Sequence, residues 1–473
     1  MSASLASFAV LVDGRHASED ALAACLDSLV SVSLSPRVLS ADETDPGAVF
    51  VSALDDAELL VVLDGGARLM PDALQTLGAA FERFPEIQSV YGDDDEIRRP
   101  EFSPIRLRSQ DYLGAIRVFR SGTARTALAA GPLVPGAESL DLFFRLAEAD
   151  APVLRLPSPL SSRIEPEAFG EDMTIARRTA VGDHLERLGV DAEIDTLGDG
   201  TFRLRYAVVG EPLVSIVIPT RGGDAVIAGS ERVLVVEAVR SILDRSNWAA
   251  LEFVVVADDA TPQTVIDDLV ELAGERLRLV RWSEPFNFSA KMNRGALFAR
   301  GEYLLLLNDD TELVSGGWIE ELVGLAQQPG IGLVGTMLYF DDGTVQHGGH
   351  LYRGGQAGHI AHSWPPEWND PLRSMGVVRE VSGATAACAM IPADDFWEVG
   401  GFSNLFPGNY NDVDLCLKLR SIDRSILWTP YVRLYHFESK SRVATIAPSE
   451  LTAIQNRWAS RMQVDAYWPS YVD

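Results

Sequence analysis

Hydrophobic residues in the second half of the chain occur in short runs that alternate with amphipathic segments. Residues 214–219, 253–258 and 303–307 are β-branched or leucine-rich runs with the length of strands buried on both faces. Segments with apolar residues at helical spacing separate these runs. The alternation predicts βαβ units around a parallel sheet. The predicted strands are 214–219, 253–258, 277–282, 303–307, 332–338 and 384–391, and the predicted helices are 231–244, 265–272, 290–300 and 411–420.

The first half of the chain repeats this plan in a weaker form. Its predicted elements are strands 8–12 and 59–63 and helix 20–29. Three segments parallel later ones in the same order, which indicates an internal duplication at the scale of a domain. The matched segments are 64–74 with 308–322, 138–146 with 411–419, and 160–163 with 434–437. Residues 176–188 predict a helix, and 198–205 predict a strand or loop before a boundary near Glu211-Pro212.

Composition and charge exclude some classes of function. The chain has 473 residues, of which 47% are hydrophobic and 23% charged, as in ordinary soluble globular proteins of two or three domains. A net charge of -28 argues against nonspecific binding to nucleic acid or to anionic membranes. An anionic nucleotide substrate stays compatible with this charge, because a bound metal can supply local positive charge.

The cysteines and the apolar segments predict a cytoplasmic protein. Cys25, Cys388 and Cys416 are far apart in apolar contexts, which favours buried thiols in a reducing compartment over disulfides. The start of the sequence lacks a basic segment followed by a long apolar run, so we expect no signal peptide. No window of about 18 apolar residues occurs, so we expect no membrane span.

Candidate chemistry begins at the end of the predicted strand 303–307. Asn308, Asp309 and Asp310 follow directly, and ligands of open α/β sheets bind at the carboxyl ends of strands. Carboxylates held there suit Mg²⁺ or Mn²⁺, which would hold a substrate diphosphate. Acidic residues also follow strands simply as turn formers or helix caps.

Six segments in order resemble glycosyltransferase family 2, which has the GT-A fold. The closest subgroup resembles bacterial rhamnosyltransferase-like enzymes that build surface polysaccharides. The resemblance is strong over residues 212–445 and weak over 1–165, and six ordered motifs are more specific than any one of them. The segments are 214–220, 253–259, 285–289, 307–310, 411–415 and 435–439.

The resemblance implies a domain plan. Residues 1–165 would form a degenerate GT-A-like domain without activity, and 166–211 a helical linker. Residues 212–445 would form the GT-A glycosyltransferase domain, and 446–473 a tail. The expected fold class is therefore α/β, with a mostly parallel, Rossmann-like sheet in the catalytic domain.

The resemblance also implies a metal site. The family's DXD motif falls on Asn308-Asp309-Asp310, with Asn at the first acidic position. Asp310 is the expected ligand, supported by Asp309, and His436 stands where many members place a histidine ligand. The expected cofactor is Mn²⁺ or Mg²⁺. A lone histidine is more often a core or surface residue, so the assignment of His436 as a metal ligand rests on its place in the ordered motifs.

Asp412 falls on the family's general base, which takes the proton of the acceptor hydroxyl in an inverting transfer. The alternative for Asp412 is a helix N-cap, and both roles are compatible. Asp414 is a rival base, but two positions further along a helix it should point elsewhere.

Donor-binding residues follow from the same resemblance. Asp258 after the second strand would hold the nucleotide base, although Ala257 replaces a neighbouring acidic position. Thr220 and Arg221 would contact the nucleoside or phosphate, and Lys291 and Asn293 would approach the donor from the following helix. A solvated helix residue is an equally good interpretation of Lys291.

Two further groups invite an interpretation. His347, His350, His359 and His362 cluster in the sequence and suggest zinc, but the resemblance favours a Gly-rich loop near the acceptor. Trp364 and Trp368 are typical of either sugar stacking or packing.

The duplication predicts that the first copy lacks the chemistry. Gly66, Ser139 and Ser162 align with Asp310, Asp412 and His436 respectively, so the three functional groups are absent. The acidic segment 91–96 has no histidine partner, and we expect a surface loop there.

The sequence thus predicts an inverting, metal-dependent glycosyltransferase. It would move a sugar from a dTDP- or UDP-linked donor to a saccharide or lipid-linked glycan in cell-surface polysaccharide synthesis, with no nucleic-acid partner. Docking at the inner face of the membrane stays open. The alternatives are a non-catalytic glycan- or protein-binding scaffold and a two-site polymerase, which the losses in the first copy disfavour.

Overall fold

The chain divides into two units, each with its own sheet and core. The computed structural model describes residues 7–30, 32, 34–166, 170–227, 229–437 and 446–469. The first unit runs to Leu204, and the second runs from Arg205 to Trp468.

The first unit contains helices around one sheet. Its elements are β1 (Phe8–Asp13), α1 (Glu19–Val30), β2 (Arg37–Leu39), α2 (Pro46–Ala53), β3 (Leu59–Asp64), β4 (Ala67–Leu69), α3 (Ala73–Arg83), β5 (Ser89–Asp94), α4 (Pro104–Ser109), β6 (Ile116–Arg120), α5 (Ser121–Ala127), α6 (Glu138–Glu148), β7 (Val153–Arg163), α7 (Glu171–Leu188) and β8 (Ala192–Thr196). Strand β9 (Phe202–Tyr206) crosses the division between the units.

The second unit contains a larger sheet. Its elements are β10 (Val214–Thr220), β11 (Asp224–Ile227), β12 (Ser230–Val233), α8 (Leu234–Arg245), β13 (Leu251–Asp258), α9 (Gln263–Ala273), β14 (Leu277–Trp282), α10 (Phe288–Phe298), β15 (Tyr303–Leu307), β16 (Thr311–Leu313), α11 (Trp318–Ala326), β17 (Ile331–Tyr339), β18 (Val345–His347), β19 (His350–Arg353), β20 (Gln356–His359), β21 (Arg379–Val381), β22 (Cys388–Pro392), α12 (Ala393–Glu398), α13 (Asn411–Arg420), β23 (Ser425–His436) and α14 (Pro448–Trp458).

The sheet of the second unit has the order β14-β13-β10-β15-β22-β17-β23-β16. Its first four strands are parallel, so their carboxyl ends meet at one edge. Strand β22 is antiparallel to both neighbours, while β17 and β23 are parallel to each other. The predicted α/β fold class, with parallel strands joined by helices, is confirmed.

The sheet of the first unit, β2-β1-β3-β6-β5-β7-β4, repeats the order from β13 to β16 and has no counterpart of β14 among the described residues. Each pairing has the same direction as its counterpart. For example, β3 and β6 are antiparallel like β15 and β22, and β5 and β7 are parallel like β17 and β23. The internal duplication inferred from three sequence matches therefore extends to the whole sheet.

Helix α7 lies in the segment predicted as a linker, and it packs on α6 within the first unit. The His184 ring stacks on Phe144 with centroids 4.4 Å apart, and Glu148 accepts hydrogen bonds from both His184 and Arg187. Burial acts to raise the pKa of Glu148, but these two partners outweigh burial and lower it. The domain boundaries themselves stay a prediction.

The core of the second unit lies between the central strands and the helices that cover them. Leu304, Leu306 and Val217 are at most 1% exposed. Trp428 is fully buried and donates its indole N–H to the carbonyl of Thr336 at 2.9 Å. Burial of such apolar side chains stabilises by about 25 cal/mol per Å² removed from water, so this sheet is a rigid base for the strand ends.

Three elements differ from the sequence prediction. The helix expected from 231 begins at Leu234, because β11 and β12 form an antiparallel hairpin that extends to Val233. The strand expected from 384 begins at Cys388. The acidic segment 91–96 is not a surface loop: Asp93 and Asp94 are buried in β5, where Arg155 and Arg99 neutralise them. Sequence could not show these arginine partners, which come from other elements.

The buried strand β15 gives a test of the core. Leu306→Ala should destabilise the second unit by about 2–5 kcal/mol, because it leaves a cavity among side chains that cannot collapse fully. The measurement is urea unfolding followed by fluorescence. Leu297→Ala removes a leucine that is 65% exposed and should change stability by less than about 0.5 kcal/mol. Equal effects of the two substitutions would contradict the described core.

Candidate functional site

A cleft of about 560 Å³ opens at the carboxyl ends of β10, β13 and β15. Parallel strands end together at this edge, so residues from distant segments meet there. The structure brings all but one of the predicted site residues into its walls. They are Thr220, Arg221, Asp258, Lys291, Asp309, Asp310, Asp412 and His436.

Asp310 and His436 meet through a strand pairing. Strand β16 is antiparallel to β23, and this register places His436 opposite Thr311. The backbone N–H of Phe437 also donates to the carbonyl of Asp310 at 2.8 Å. As a result, His436 Nε2 lies 3.1 Å from Asp310 Oδ1. Burial acts to raise the pKa of Asp310, but His436 outweighs burial and holds it below the ordinary 3.8.

Gln346 orients the His436 ring. Gln346 Nε2 donates to the His436 carbonyl at 3.3 Å, and Gln346 Oε1 lies 2.7 Å from His436 Nδ1. An amide oxygen only accepts hydrogen bonds, so Nδ1 carries the hydrogen. The ring is thereby held with Nε2 towards Asp310 and towards Asn308 Nδ2, which is 3.1 Å away. Partners of this kind fix the orientation of metal-binding histidines.

Asp309 has a different environment from Asp310. Its Oδ2 accepts a hydrogen bond of 2.6 Å from the Thr220 hydroxyl. Burial and the neighbouring Asp310 charge raise the pKa of Asp309 to about 7. The two adjacent carboxyls thus differ in charge near neutral pH, because only Asp310 has a close imidazole partner.

Lys291 is not a solvated helix residue. Its side chain is 2% exposed, and Nζ donates to Asp258 Oδ1 at 2.7 Å and to the Thr220 carbonyl at 2.9 Å. Asn287 caps the helix of Lys291 by accepting from the Ala290 N–H. Lys291 therefore joins the ends of β10 and β13 and places a cation in the cleft wall.

Asn293 is the predicted site residue that does not line the cleft. Its Oδ1 accepts from the Phe402 N–H and its Nδ2 donates to the Phe402 carbonyl, both at 2.8 Å. Both ends of the amide are thus used to hold the segment after α12. The helix of Asn293 faces this segment, which sequence spacing does not reveal.

Asp412 lies in the first turn of α13, and Tyr410 is the N-cap residue at φ 59°. Asp412 Oδ1 accepts from the Val413 N–H at 2.8 Å, and Oδ2 accepts from the Ala386 N–H at 3.3 Å. Burial acts to raise the pKa of Asp412, but the neighbouring His350 and His359 rings outweigh burial and hold it below 3.8.

The rival carboxylate Asp414 lies elsewhere. It is fully buried, and its Oδ1 accepts from the Trp458 indole at 2.8 Å and lies 3.2 Å from Arg457 Nε. Asp414 therefore has a packing role between α13 and α14, and the cleft contains Asp412 alone of the two.

The histidine cluster is held by hydrogen bonds between its rings. His347 Nε2 accepts from the Thr385 N–H at 3.1 Å, and His347 Nδ1 lies 2.7 Å from His359 Nδ1. Within the described residues, no group of three or more His, Cys, Asp or Glu side chains could hold a metal ion. Trp364 packs against Trp368 and Trp468, and neither Trp364 nor Trp368 lines the cleft.

Sequence reasoning missed three contacts in the cleft. These are the contacts of Gln346 and Asn308 with His436, and the position of His350 beside Asp412. The histidine-rich segment was the available signal, but only the pairing of β17 with β18 brings Gln346 to β23. The motif 435–439 ends in Glu438 and Ser439, which lie outside the described residues.

The first unit has a smaller cleft at the same position, with a volume of about 100 Å³. The counterpart of His436 is Arg163 and not Ser162 as expected, because Arg163 pairs with Ala67 as His436 pairs with Thr311. Arg163 Nη1 donates to Asp64 Oδ2 at 2.6 Å.

A second arginine closes the same small cleft. Arg15 binds both Asp13 and Glu138, at 2.6 and 2.8 Å. Arg163 and Arg15 thus neutralise the carboxylates of this small cleft. The second unit has Asp310 and His436 at the equivalent position.

A comparison with protein families identifies a glycosyltransferase profile. Residues 215–400 match the sequence profile described as Glycosyl transferase family 2. The matched range contains Asp258, Asp309 and Asp310 and ends before Asp412 and His436.

Two curated proteins match most of the chain. The O-antigen biosynthesis protein RfbC of Myxococcus xanthus is 32% identical over 404 residues, covering 80% of this chain and 31% of RfbC. The uncharacterized protein y4gI of Sinorhizobium fredii (strain NBRC 101917 / NGR234) is 30% identical over 449 residues, covering 87% of this chain and 48% of y4gI. The chain thus spans less than half the length of these relatives.

Two solved structures superpose on part of the chain with low TM-scores. GalNAc-T7 with UDP, GalNAc and Mn²⁺ gives a TM-score of 0.43 at 12% identity, over 62% of this chain and 58% of that one. The mannosyltransferase PcManGT from Pyrobaculum calidifontis, in complex with GDP-Man and Mn²⁺, gives 0.36 at 14% identity, over 53% and 70%.

The raised pKa of Asp309 gives a pH-dependent prediction. Asp309 has a pKa of about 7 in the folded state and 3.8 in the unfolded chain. Between these pH values the folded state binds a proton that the unfolded chain has lost. The free energy of unfolding therefore falls as the pH rises from about 4 to about 7. Asp309→Asn should therefore raise the Tm of the metal-free protein at about pH 8 and change it little at about pH 4.

The measurement is thermal unfolding in chelator-treated buffers across this pH range. Asp268→Asn, at an exposed position of α9, serves as the matched control and should give the wild-type pH dependence. An Asp309→Asn variant whose Tm differs from the wild type by the same amount at every pH would contradict the assignment.

Proposed function

Residues 215–400 of this chain form a glycosyl transferase family 2 domain, and on that premise we propose that the chain is an inverting, metal-dependent glycosyltransferase. The observation that carries the proposal is that Asp310, His436 and Asp412 line one cleft. These residues come from three distant segments, so their meeting reflects the tertiary fold. The cleft volume of about 560 Å³ suits a ligand of nucleotide-sugar size.

The donor end of the cleft lies where β10 and β13 end. Lys291 and Arg221 supply positive charge there, and Asp258 and Thr220 supply hydrogen-bonding groups. This wall suits a nucleoside diphosphate, with Asp258 positioned for the base and the cations for phosphate oxygens. The proposed donor is a dTDP- or UDP-linked sugar.

The chemistry of the residues fits a divalent cation. His436 Nε2 and Asp310 Oδ1 lie 3.1 Å apart and face the same cleft. Asn308 Oδ1 is buried beside them and has no hydrogen-bond partner among the described residues. Asp310 and His436 would hold Mn²⁺ or Mg²⁺. When bound, the ion would offset the charge that develops on the leaving diphosphate.

Asp412 is the proposed general base. The acceptor hydroxyl loses its proton to the Asp412 carboxylate while its oxygen bonds to the anomeric carbon of the donor. The bond from that carbon to the diphosphate breaks on the opposite side, so the configuration inverts. The two backbone N–H groups on Asp412 hold its carboxylate at the helix N-terminus, where it stays ionised.

The first unit is proposed to lack transferase activity. Gly66 and Ser139 replace the metal-binding and basic carboxylates, and Arg163 replaces the imidazole. A guanidinium cannot bind a metal ion, and its ion pair with Asp64 occupies the position. This unit is proposed to serve as a packing, acceptor-binding or partner-binding module.

The proposed acceptor is a saccharide or a lipid-linked glycan in cell-surface polysaccharide synthesis. The similarity to a protein named for O-antigen biosynthesis supports this acceptor class. No described helix is long and apolar enough to cross a bilayer. The proposed location is the cytoplasm, with peripheral docking at the inner face of the membrane.

The base is tested by Asp412→Asn. This variant should bind the donor as the wild type does but lose about 10²–10⁴-fold in kcat, because only proton removal is lost. The kcat is measured by a sugar-transfer assay, and the donor affinity is measured by calorimetry. Asp423→Asn, an exposed aspartate after the same helix, is the control. Full activity of Asp412→Asn would remove the mechanism.

The metal is tested by Asp310→Ala and His436→Ala. Both should abolish the thermal stabilisation that Mn²⁺ and a matched nucleotide sugar give together, because a ligand stabilises in proportion to its binding. A panel of UDP-, dTDP- and GDP-linked sugars identifies the donor in the same assay. If no nucleotide and no Mn²⁺ stabilises the wild type, a non-catalytic scaffold replaces the proposal.

A further inference from the structure

The side chain of His350 is buried beside the proposed base. His350 is 2% exposed, and its Nε2 lies 3.7 Å from Asp412 Oδ2. Its backbone N–H donates to the Gly383 carbonyl at 2.7 Å, which fixes the start of β19 next to the first turn of α13. His350 is therefore held by the backbone at one end and faces Asp412 at the other.

Gly383 lies against the His350 ring and leaves the space that the ring occupies. A Cβ on Gly383 would lie 2.6 Å from His350 Nδ1 and 2.8 Å from the Tyr352 hydroxyl. Both contacts are shorter than real Cβ atoms show, so a larger residue would displace the imidazole. The chain thus keeps space for this ring at a site where most residues would exclude it.

The other titratable groups near His350 have their own partners or lie further away. His347 and His359 are engaged with each other, with ring centroids 5.3 and 5.8 Å from that of His350. Tyr352 lies 6.1 Å away by centroid, and Cys416 is buried on α13 near Gly383. Asp412 is the charged group that His350 Nε2 meets.

We propose that His350 is the positioning residue for Asp412. Its Nε2 lies 3.7 Å from Oδ2 and, with the hydrogen bonds from the N–H groups of Ala386 and Val413, restricts the orientation of the carboxylate. This role rests on the proposed function of Asp412 as the base. A base must be held in a productive geometry, and a misplacement of about 1 Å costs up to about 10²-fold in rate.

The exposed side of the carboxylate then faces the cleft. Two backbone donors, from α13 and from the segment before β22, bind Asp412, and the His350 ring on β19 packs beside it. The rotamer of Asp412 is thus fixed before the acceptor arrives. No covalent step passes through His350, because the proton of the acceptor hydroxyl goes to Asp412 and the imidazole keeps its own.

The test uses the two amide replacements of histidine. The amide of Gln reaches the position of Nε2, while the shorter Asn does not. His350→Asn should lower kcat about 10- to 100-fold with the donor KM unchanged, and His350→Gln should recover most of that loss. His362→Gln, in the same segment but outside the cleft lining, is the control and should keep wild-type kinetics.

A double-mutant cycle separates positioning from a general structural role. In an Asp412→Asn background, His350→Asn should cause no further loss in kcat, because the group on which it acts is already removed. Donor affinity by calorimetry and the Tm should stay near wild type in each variant. A loss that persists in the Asp412→Asn background would overturn the proposal, and so would equal losses with Asn and Gln.

The failure of this inference is distinct from failure of the proposed function. If Asp412→Asn abolishes transfer but His350→Asn is fully active, only the positioning role is wrong. If Asp412→Asn is fully active, the assignment of the base is wrong, and the positioning role fails with it.

Discussion

The pairing of β16 with the end of β23 is the constraint on which the cleft depends. Strand β15 is buried on both faces, so the turn that follows it is fixed at the edge of the sheet. The short strand β16 then continues from this turn and forms a ladder with β23, which places His436 beside Asp310. Backbone hydrogen bonds therefore set the distance between two side chains that are far apart in the chain. A change of register by one residue would turn His436 to the other face.

The two units show how one sheet can carry different chemistry. Their strands have the same order and the same directions, so the backbone at the sheet edge is equivalent in both. The side chains differ: Arg163 forms an ion pair with Asp64 in the first unit, whereas His436 lies beside Asp310 in the second. A fixed guanidinium satisfies the carboxylate permanently, which stabilises the edge but leaves nothing for a ligand to complete. Fold alone does not determine function in this chain.

The second cleft places cationic side chains next to carboxylates, although the chain as a whole is acidic. The net charge is -28, yet Lys291 is buried at the cleft wall between Asp258 and the Thr220 carbonyl. The unequal states of Asp309 and Asp310 arise in the same way, since one carboxyl meets a hydroxyl and the other an imidazole. Asp412 accepts hydrogen bonds from two backbone N–H groups and lies beside the His350 ring. These neighbours, and not the overall composition, decide which groups are ionised.

The sequence alone indicated the alternating strands and helices from β10 to β15 in the second unit and the internal duplication. Strands such as β14, β15 and helix α13 have the predicted bounds, because apolar periodicity is a local property that burial enforces. Eight of the nine site residues predicted from the sequence line the cleft, since motifs at strand ends converge at one edge. Only the tertiary structure decided that Asn293 binds the Phe402 backbone, that Gln346 orients His436, and that Arg163 is the counterpart of that histidine. Such contacts depend on the register between strands distant in sequence, and no pattern within a single segment encodes that register.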